Sequence, residues 1–229
     1  MQNQTRTVML ASPCHNGLVD AYHASSLSET CKIGIMNNIN VVAIYLAFDS
    51  LVQRARNDIF KMAVEANVDD LVFIDTDQDW DPNDFFKLLS HDLPVVGVPV
   101  RKKSDNEQYN VKILSTVDQL SIDENMLLEV ASVGTGMLRI RKDALQAIWE
   151  SAESEEYTED HKPGTSRMIF DVKIIDKKLY SEDTIFCKRW TDLGHKVFVD
   201  TSINVCHAGY NRWQGNFLSY LERIQNSSQ

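Results

Sequence analysis

Four aspartates occur at alternate positions after an apolar run in the first half of the chain. Residues 71–80 read LVFIDTDQDW, which places Asp75, Asp77 and Asp79 in one loop, with Asp81 directly after it. Clustered carboxylates repel one another strongly in a low-dielectric cleft unless a cation lies between them. Carboxylate oxygens are the ligands that Mg²⁺ and Mn²⁺ prefer. The clustering is therefore consistent with a cation in this loop, where Asp75 and Asp77 both reach the same side of a turn.

Two other meanings of an Asp-x-Asp loop are disfavoured by the flanking residues. An EF-hand calcium loop requires a glycine where this chain has Trp80 and a glutamate where it has Phe86, and a helix should precede it. A haloacid-dehalogenase-like phosphatase should have Thr or Val at the position of Asp79, and its Asp-bearing strand should come first in the chain. Here that strand is the third.

The elements around this loop alternate between strands and helices. Strands are predicted at 7–12, 40–48, 71–75 and 94–100, and helices at 21–27, 51–67 and 82–91. Apolar strands separated by amphipathic helices are typical of a mainly parallel sheet that is covered on both faces. Ligands bind beyond the carboxyl ends of strands in such sheets, and the aspartate loop follows a strand end.

The second half of the chain is less regular. Predicted strands lie at 130–140, 168–175 and 196–209, and predicted helices at 143–151 and 181–194, with a mobile loop at 153–167. There is no internal repeat and no linker, so we expect residues 1–229 to form one α/β domain.

Composition limits the classes of function. The chain has 229 residues, of which 43% are hydrophobic and 24% are charged, which is ordinary for a folded protein. The net charge of −10 argues against a broad nucleic-acid or anionic-membrane surface. The longest apolar runs are far shorter than the roughly 20 residues of a membrane span, and the start of the chain lacks signal-peptide features. The expectation is therefore a cytoplasmic protein, in the host cytoplasm if the source is viral, with four reduced cysteines.

Several segments together resemble the GT-A type of nucleotide-sugar glycosyltransferase, particularly the short single-domain, family-2-like transferases found in viral and bacterial genomes. LVFIDTD resembles the strand and Asp-x-Asp motif of that family, and VGTGMLRIRKDAL (133–145) resembles its small-residue acceptor strand. SEDTIFCKRWTDLGHKVFVDTSINVCHAG (181–209) resembles its closing Glu-Asp helix and metal-binding histidine. The order of these segments matches over about 150 residues, which is more specific than Asp-x-Asp alone.

The resemblance implies a GT-A (Rossmann-like) mixed, mainly parallel sheet flanked by helices, with a nucleotide-binding half at 1–100 and an acceptor half at 101–229. It implies that Asp75, Asp77 and His207 bind Mn²⁺ or Mg²⁺ on the diphosphate of a UDP-sugar, a hexose donor being expected. It also implies that one carboxylate of the Glu182–Asp183 pair, by match Asp183, removes a proton from the acceptor hydroxyl. The favourable position of both acids at a helix N-terminus is the structural alternative.

Other site residues follow less directly. The expected donor-binding residues are Ser12, Pro13, Arg54, Asn57, Thr76 and Gly136. The resemblance suggests that Arg54 or Asn57 touches the nucleotide, although both lie on the polar face of a helix and solvent exposure is the alternative. Analogy of fold places the base near Ser12 and Pro13, and Gly134 and Gly136 would let the backbone approach the donor sugar.

On the acceptor side, Asp79 and Trp80 are the expected residues, with a solvated charge and core packing as their respective alternatives. Asp81 is predicted to be a helix N-cap because Pro82 follows it.

The class of acceptor stays open. Saccharides and glycolipids are common in the resembled family, whereas some small viral relatives modify hydroxymethylated pyrimidines in DNA. The acidic net charge disfavours DNA, while VRKK at 100–103 keeps a local basic groove in question. A nucleotide-sugar-binding protein without transferase activity and a sugar nucleotidyltransferase are the alternative functions. The latter would normally have a basic, Gly-rich loop after the first strand, and ASPCHNGLVDAY lacks a basic pair.

Overall fold

The structure is a computed structural model that describes residues 5–114, 121–160 and 162–226. The helices in these ranges are α1 (Ala21–Met36), α2 (Val52–Glu65), α3 (Pro82–Ser90), α4 (Lys142–Ser151), α5 (Glu182–Asp192) and α6 (Phe217–Asn226). The strands are β1 (Arg6–Cys14), β2 (Ile39–Ala47), β3 (Asp70–Ile74), β4 (Gln78–Asp79), β5 (Val95–Gly97), β6 (Val111–Ile113), β7 (Leu127–Val133), β8 (Met137–Arg141), β9 (Glu156–Glu159), β10 (Lys162–Arg167), β11 (Lys173–Ile175), β12 (Lys178–Tyr180), β13 (Val197–Asp200), β14 (Cys206–Ala208) and β15 (Arg212–Trp213).

The main sheet has eight strands in the order β2-β1-β3-β8-β5-β13-β7-β6. β1 is parallel to β2 and β3, and β5 is parallel to β13. β8 is antiparallel to both β3 and β5, and β7 is antiparallel to both β13 and β6. All strands except β8 and β7 therefore point the same way, which confirms the predicted mixed, mainly parallel α/β architecture.

Side chains on the two faces of the sheet form two hydrophobic cores. Met9 and Ala11 of β1 face the core that contains residues of α2, α4, α5 and α6, whereas Val8 and Leu10 face the core that contains residues of α3. This alternation follows from the two-residue period of a strand. Each fully buried Leu or Phe side chain contributes about 1.5–3 kcal/mol, so both faces help to fix the sheet that carries the aspartate loop.

Three predicted elements differ from the structure. The segment 130–140 is not one strand, because residues 134–136 separate β7 from β8 and the two pair with different neighbours. The segment 168–175 contributes only β11 as strand. The helix predicted at 21–27 extends to Met36, and its start is fixed by Asp20, which accepts a hydrogen bond from the backbone N–H of Tyr22.

The segment 153–167 forms a short 3₁₀ turn followed by the antiparallel hairpin of β9 and β10. His161 lies outside the described residues. The hairpin is anchored to α2, where Arg54 lies 3.6 Å from Glu159 and Lys162 pairs with Asp58. Mobility of this segment stays a prediction.

No helix in the described ranges is long and apolar enough to cross a membrane.

Candidate active site

The Asp-x-Asp motif forms a tight turn between β3 and β4. The N–H of Gln78 donates to the carbonyl of Asp75 at 3.1 Å, and the N–H of Asp75 donates to the carbonyl of Gly136 at 3.1 Å. The carbonyl of Thr76 accepts a 3.0 Å hydrogen bond from the N–H of Asp20. Backbone bonds on both sides thus fix the direction in which the two aspartates leave the sheet.

A buried histidine contacts the backbone carbonyls of this turn. His23 is fully buried on α1, and its Nδ1 lies 3.2 Å from the carbonyl oxygen of Asp75 and 3.0 Å from that of Gln78. Its Nε2 lies 3.0 Å from the hydroxyl of Tyr45. Burial lowers the pKa of His23, so the ring is neutral, with Nδ1–H donating to the carbonyls and Nε2 accepting from Tyr45.

His207 is brought to the motif by strand pairing. β14 is antiparallel to β4, with His207 opposite Gln78 and Cys206 opposite Asp79. The Nδ1 of His207 lies 2.9 Å from the carbonyl oxygen of Arg101, so this nitrogen carries the proton. The other ring nitrogen, Nε2, faces Oδ2 of Asp77 at 3.5 Å. A backbone bond that fixes one ring nitrogen and frees the other is the usual arrangement of a metal-binding histidine.

Asp77 has a pKa well below the usual value of an aspartate. Burial opposes its ionisation, but hydrogen bonds and charges from His207 and Lys103 outweigh burial and lower the pKa of Asp77 to about 2. The ammonium of Lys103 lies 2.5 Å from Oδ2. The other oxygen, Oδ1, is buried and has no hydrogen-bond partner. A buried anionic oxygen without a partner is costly, and a bound cation would satisfy it.

The donor set fits a divalent cation. Carboxylate oxygens from Asp75 and Asp77 and an imidazole nitrogen from His207 suit Mn²⁺ at least as well as Mg²⁺. Within the described part of the chain, no group of three or more His, Cys, Asp or Glu residues is arranged so that it could hold a metal ion, and this includes Asp75, Asp77 and His207. The fit therefore rests on the chemistry of these donors and on the buried, unpartnered Oδ1 of Asp77.

A buried arginine connects Asp75 to the other acidic pair. Arg56 of α2 is 5% exposed; its guanidinium lies 3.2 Å from Oδ1 of Asp75 and pairs closely with Glu182 at the start of α5. Burial raises the pKa of Asp75, although the charge of Arg56 opposes this shift. Glu182 is therefore coupled to the aspartate turn through Arg56.

Asp183 makes local contacts at the N-terminus of α5. Its Oδ1 accepts from the backbone N–H of Thr184 at 2.7 Å and from the hydroxyl of Ser181. The structural alternative for this acid, stabilisation of a helix start, thus applies to Asp183. Its role as a base stays a prediction.

Two of the expected donor-binding residues serve the protein itself. Asn57 is fully buried, and its Oδ1 accepts from the N–H groups of Ile169 and Phe170 at 3.0 and 2.7 Å. The polar face predicted for this part of α2 is therefore not solvated at Asn57, and the amide is not open to a nucleotide. At Gly136, an added Cβ would lie 2.4 Å from the amide nitrogen of Gln78. The space that the sequence suggested for a sugar is filled by Gln78.

The remaining donor-side residues lie near the carboxyl ends of β1 and β2. Ser12 is fully buried with no partner for its hydroxyl, and Pro13 follows it in β1. Arg54 makes two 2.8 Å hydrogen bonds to the carboxylate of Asp49, which is 9% exposed. The pKa of Asp49 is lowered because Arg54 and the N–H of Leu51 outweigh the opposing effect of burial. Their contact with a nucleotide stays a prediction.

The acceptor-side expectations divide in a similar way. Trp80 is 4% exposed and its Nε1 donates to Thr30 at 3.0 Å, so core packing is its role and it forms no wall of the site. Asp79 pairs with Arg212 of β15, which makes it a link between two strands of the small sheet. Asp81 is the N-cap of α3 and accepts from the N–H of Asn83 at 2.8 Å, as predicted.

Sequence reasoning missed three residues that organise this site: His23, Arg56 and Lys103. Arg56 stands beside apolar residues in VQRARNDIF, but an arginine within a helix normally reads as solvent-exposed. Lys103 belongs to VRKK, whose charge indicates only a candidate nucleic-acid contact. Nothing in the sequence near His23 signals its position.

Comparisons with known proteins identify a shared fold. No protein-family model and no curated protein matches the chain. The crystal structure of A197 from STIV is similar with a TM-score of 0.54 and 18% sequence identity, covering 89% of this chain and 86% of that chain. Identity at this level shows likeness of fold alone.

Two further solved structures have lower scores. A mutant of Drosophila beta-1,4-galactosyltransferase 7, in complex with manganese, UDP-Gal and xylobiose, has a TM-score of 0.48 and 14% identity over 95% of this chain and 73% of that chain. A glycosyltransferase involved in the glycosylation of the major capsid of PBCV-1 has a TM-score of 0.35 and 13% identity over 65% of this chain and 66% of that chain. These similarities are too weak to assign an activity.

Proposed function

We propose that the chain is a metal-dependent glycosyltransferase of the GT-A type that moves a sugar, with a hexose as the first candidate, from a UDP-sugar to a hydroxyl acceptor. The observation that carries this proposal is the pairing of Asp77 with His207. One oxygen of Asp77 faces Nε2 of His207, and the other is buried without a partner. This arrangement at the carboxyl end of a strand in an open α/β sheet suits a bound cation and its anionic ligand.

Asp75, Asp77 and His207 would hold the cation. A bound Mn²⁺ or Mg²⁺ supplies charge that stabilises the diphosphate of UDP as it departs. Other residues hold these ligands in place: Arg56 forms an ion pair with Asp75, and His23 contacts the backbone carbonyl of Asp75 in the turn. This frame keeps the ligand oxygens in place without rearrangement when the donor binds.

Transfer requires a base for the acceptor. In the proposed reaction a carboxylate oxygen of Asp183 accepts the proton of the acceptor hydroxyl. At the same time the oxygen of that hydroxyl forms a bond to the anomeric carbon of the donor sugar. The bond from that carbon to the diphosphate oxygen breaks with its electron pair, and UDP leaves. Glu182 is the other candidate, but its ion pair with buried Arg56 favours a supporting role.

A carbohydrate is the acceptor that the charge of the chain favours. The net charge of −10 opposes a polyanion such as DNA. The lysine and arginine of VRKK nearest the site are engaged: Lys103 with Asp77, and Arg101 with the carbonyl of Gln214 at 2.6 Å. A saccharide or glycolipid hydroxyl is therefore proposed ahead of a hydroxymethylated pyrimidine.

The experiment is release of UDP from a panel of UDP-sugars, with Mn²⁺ and with a chelator. We expect release only with metal, loss of release in Asp77→Asn, and unchanged release in the matched control Asp81→Asn, since Asn is an equally good helix cap. Asp183→Asn should abolish transfer but retain UDP binding. Metal-independent release by the wild type, or equal effects of the two Asp→Asn changes at positions 77 and 81, would overturn the proposal.

A further inference from the structure

Lys103 pairs with the oxygen of Asp77 that faces His207. Its ammonium lies 2.5 Å from Oδ2, the same oxygen that faces Nε2 of His207 at 3.5 Å. An ammonium and a divalent cation repel each other at this range, so both cannot remain beside one carboxylate group without a further anion. The carboxylate must therefore exchange partners when metal binds.

The stem of Lys103 is held while its charged end is accessible. A Cβ added at Gly209 would lie 3.4 Å from Cδ and 3.6 Å from Cε of Lys103, so the methylenes pass closely over the backbone of Gly209. The Lys103 side chain is 34% exposed. A packed stem on a partly exposed side chain lets the charge move over a short distance without disturbing the loop.

Asp75 and Asp77 each have a separate basic partner. Asp75 has its own counter-ion in Arg56, so Asp77 is the carboxylate that Lys103 neutralises. Binding of a divalent cation at Asp77 would displace the ammonium, and the diphosphate of a donor would bring fresh negative charge to the same place. A phosphate oxygen accepts a strong charge-assisted hydrogen bond from an ammonium.

We infer that Lys103 is a donor-binding residue that pairs with Asp77 in the empty site and transfers its ammonium to the diphosphate when metal and donor bind. This inference rests on the proposed function. It has two consequences of opposite sign: Lys103 opposes binding of metal alone and favours binding of the nucleotide. A residue that served only to stabilise the loop would not produce both.

The test uses Lys103→Met, which removes the ammonium but keeps an apolar stem, with Lys102→Met as the matched control because Lys102 is the adjacent, exposed lysine. Manganese binding without nucleotide is measured by electron paramagnetic resonance, and UDP binding with saturating Mn²⁺ by calorimetry. We expect Lys103→Met to bind Mn²⁺ about two- to fivefold more tightly and UDP about tenfold more weakly. Lys102→Met should match the wild type, and Lys103→Arg should largely retain UDP affinity.

The outcomes separate the two levels of the argument. Unchanged or weaker Mn²⁺ binding by Lys103→Met, or unchanged UDP binding, overturns the role of Lys103 if the wild type binds both ligands. A wild type that binds neither Mn²⁺ nor UDP overturns the proposed function itself. Thermal unfolding of each variant, expected to match that of the wild type, shows that any loss of UDP binding reflects the ammonium rather than the fold.

Discussion

The Nε2 atom of His207 faces Oδ2 of Asp77 at 3.5 Å because β14 pairs with β4 in a small sheet beside the main one. The two residues come from opposite halves of the chain. The first half supplies the aspartate turn, and the second half closes it with a histidine whose other nitrogen is fixed by the carbonyl of Arg101. The candidate metal site is therefore a product of tertiary folding rather than of one continuous motif.

Removal of Arg56 should destabilise the protein and loosen the site. Arg56→Met would leave Asp75 and Glu182 without their shared buried counter-ion. We expect the free energy of unfolding to fall by about 2–3 kcal/mol at pH 7. Urea unfolding measures this loss. Arg54→Met is the matched control, since its ion pairs lie nearer the surface, and it should cost no more than about 1 kcal/mol. Equal losses in the two variants would contradict the structural role of Arg56.

Asn57 should affect stability rather than nucleotide affinity. Asn57→Ala would leave the buried N–H groups of Ile169 and Phe170 without acceptors, at a cost of about 2–3 kcal/mol. The exposed Asn204→Ala should change the free energy of unfolding by less than about 0.5 kcal/mol. Calorimetry on folded Asn57→Ala should give UDP affinity close to that of the wild type. A stable variant that no longer binds UDP would restore the nucleotide-contact interpretation.

Gly136→Ala should disturb the aspartate turn through Gln78. The new methyl group would lie 2.4 Å from the Gln78 amide nitrogen, and Gln78 is 2% exposed, so little room exists for adjustment. We expect a loss of about 1–2 kcal/mol in unfolding free energy, together with weaker Mn²⁺ binding. The double variant Gly136→Ala/Gln78→Ala should recover most of both losses. Failure of the second change to rescue the first would show that the clash is not the cause.

Asp200 should make stability depend on pH in acid. Burial opposes its ionisation, but hydrogen bonds from His91, Ser202 and Lys87 outweigh it and lower the pKa of Asp200 from 3.8 to about 2. Because the folded pKa is below the unfolded value, this group stabilises the fold above about pH 4 and loses that effect as the pH falls towards 2.

Asp200→Asn should therefore cost about 2 kcal/mol at pH 7, and the difference from the wild type should shrink below pH 4. Urea titrations at several pH values give this difference directly. A gap that stays constant down to about pH 2 would rule out the linkage to Asp200.

The sequence was sufficient to predict the architecture and the approximate positions of β1, β2 and β3. The apolar runs of β1, β2 and β3, each followed by a polar break, predicted a mainly parallel sheet, and its strand directions confirm that prediction. The insertion of antiparallel β8 between β3 and β5 was not predictable. It depends on the strand ending at residues 134–136, which glycine alone does not specify. Glycine permits such a break and equally permits a close approach to a ligand.

The supporting residues of the site could not be predicted from the sequence, for a different reason. Arg56 and His23 are polar side chains that are buried because they pair there with a carboxylate and with backbone carbonyls, respectively. Helical periodicity assigns such residues to solvent, since the partners that make burial favourable come from distant parts of the chain. Asp81 was predictable because its role as a cap depends only on its immediate neighbours.

The most direct test of the central claim is the dependence of UDP binding on Mn²⁺, measured by calorimetry with the wild type and the two single-carboxylate variants Asp77→Asn and Asp81→Asn. We predict that Mn²⁺ tightens UDP binding at least about tenfold in the wild type and in Asp81→Asn, and has no effect in Asp77→Asn. UDP affinity that is the same with Mn²⁺ and with chelator in the wild type would contradict the metal site at Asp75, Asp77 and His207.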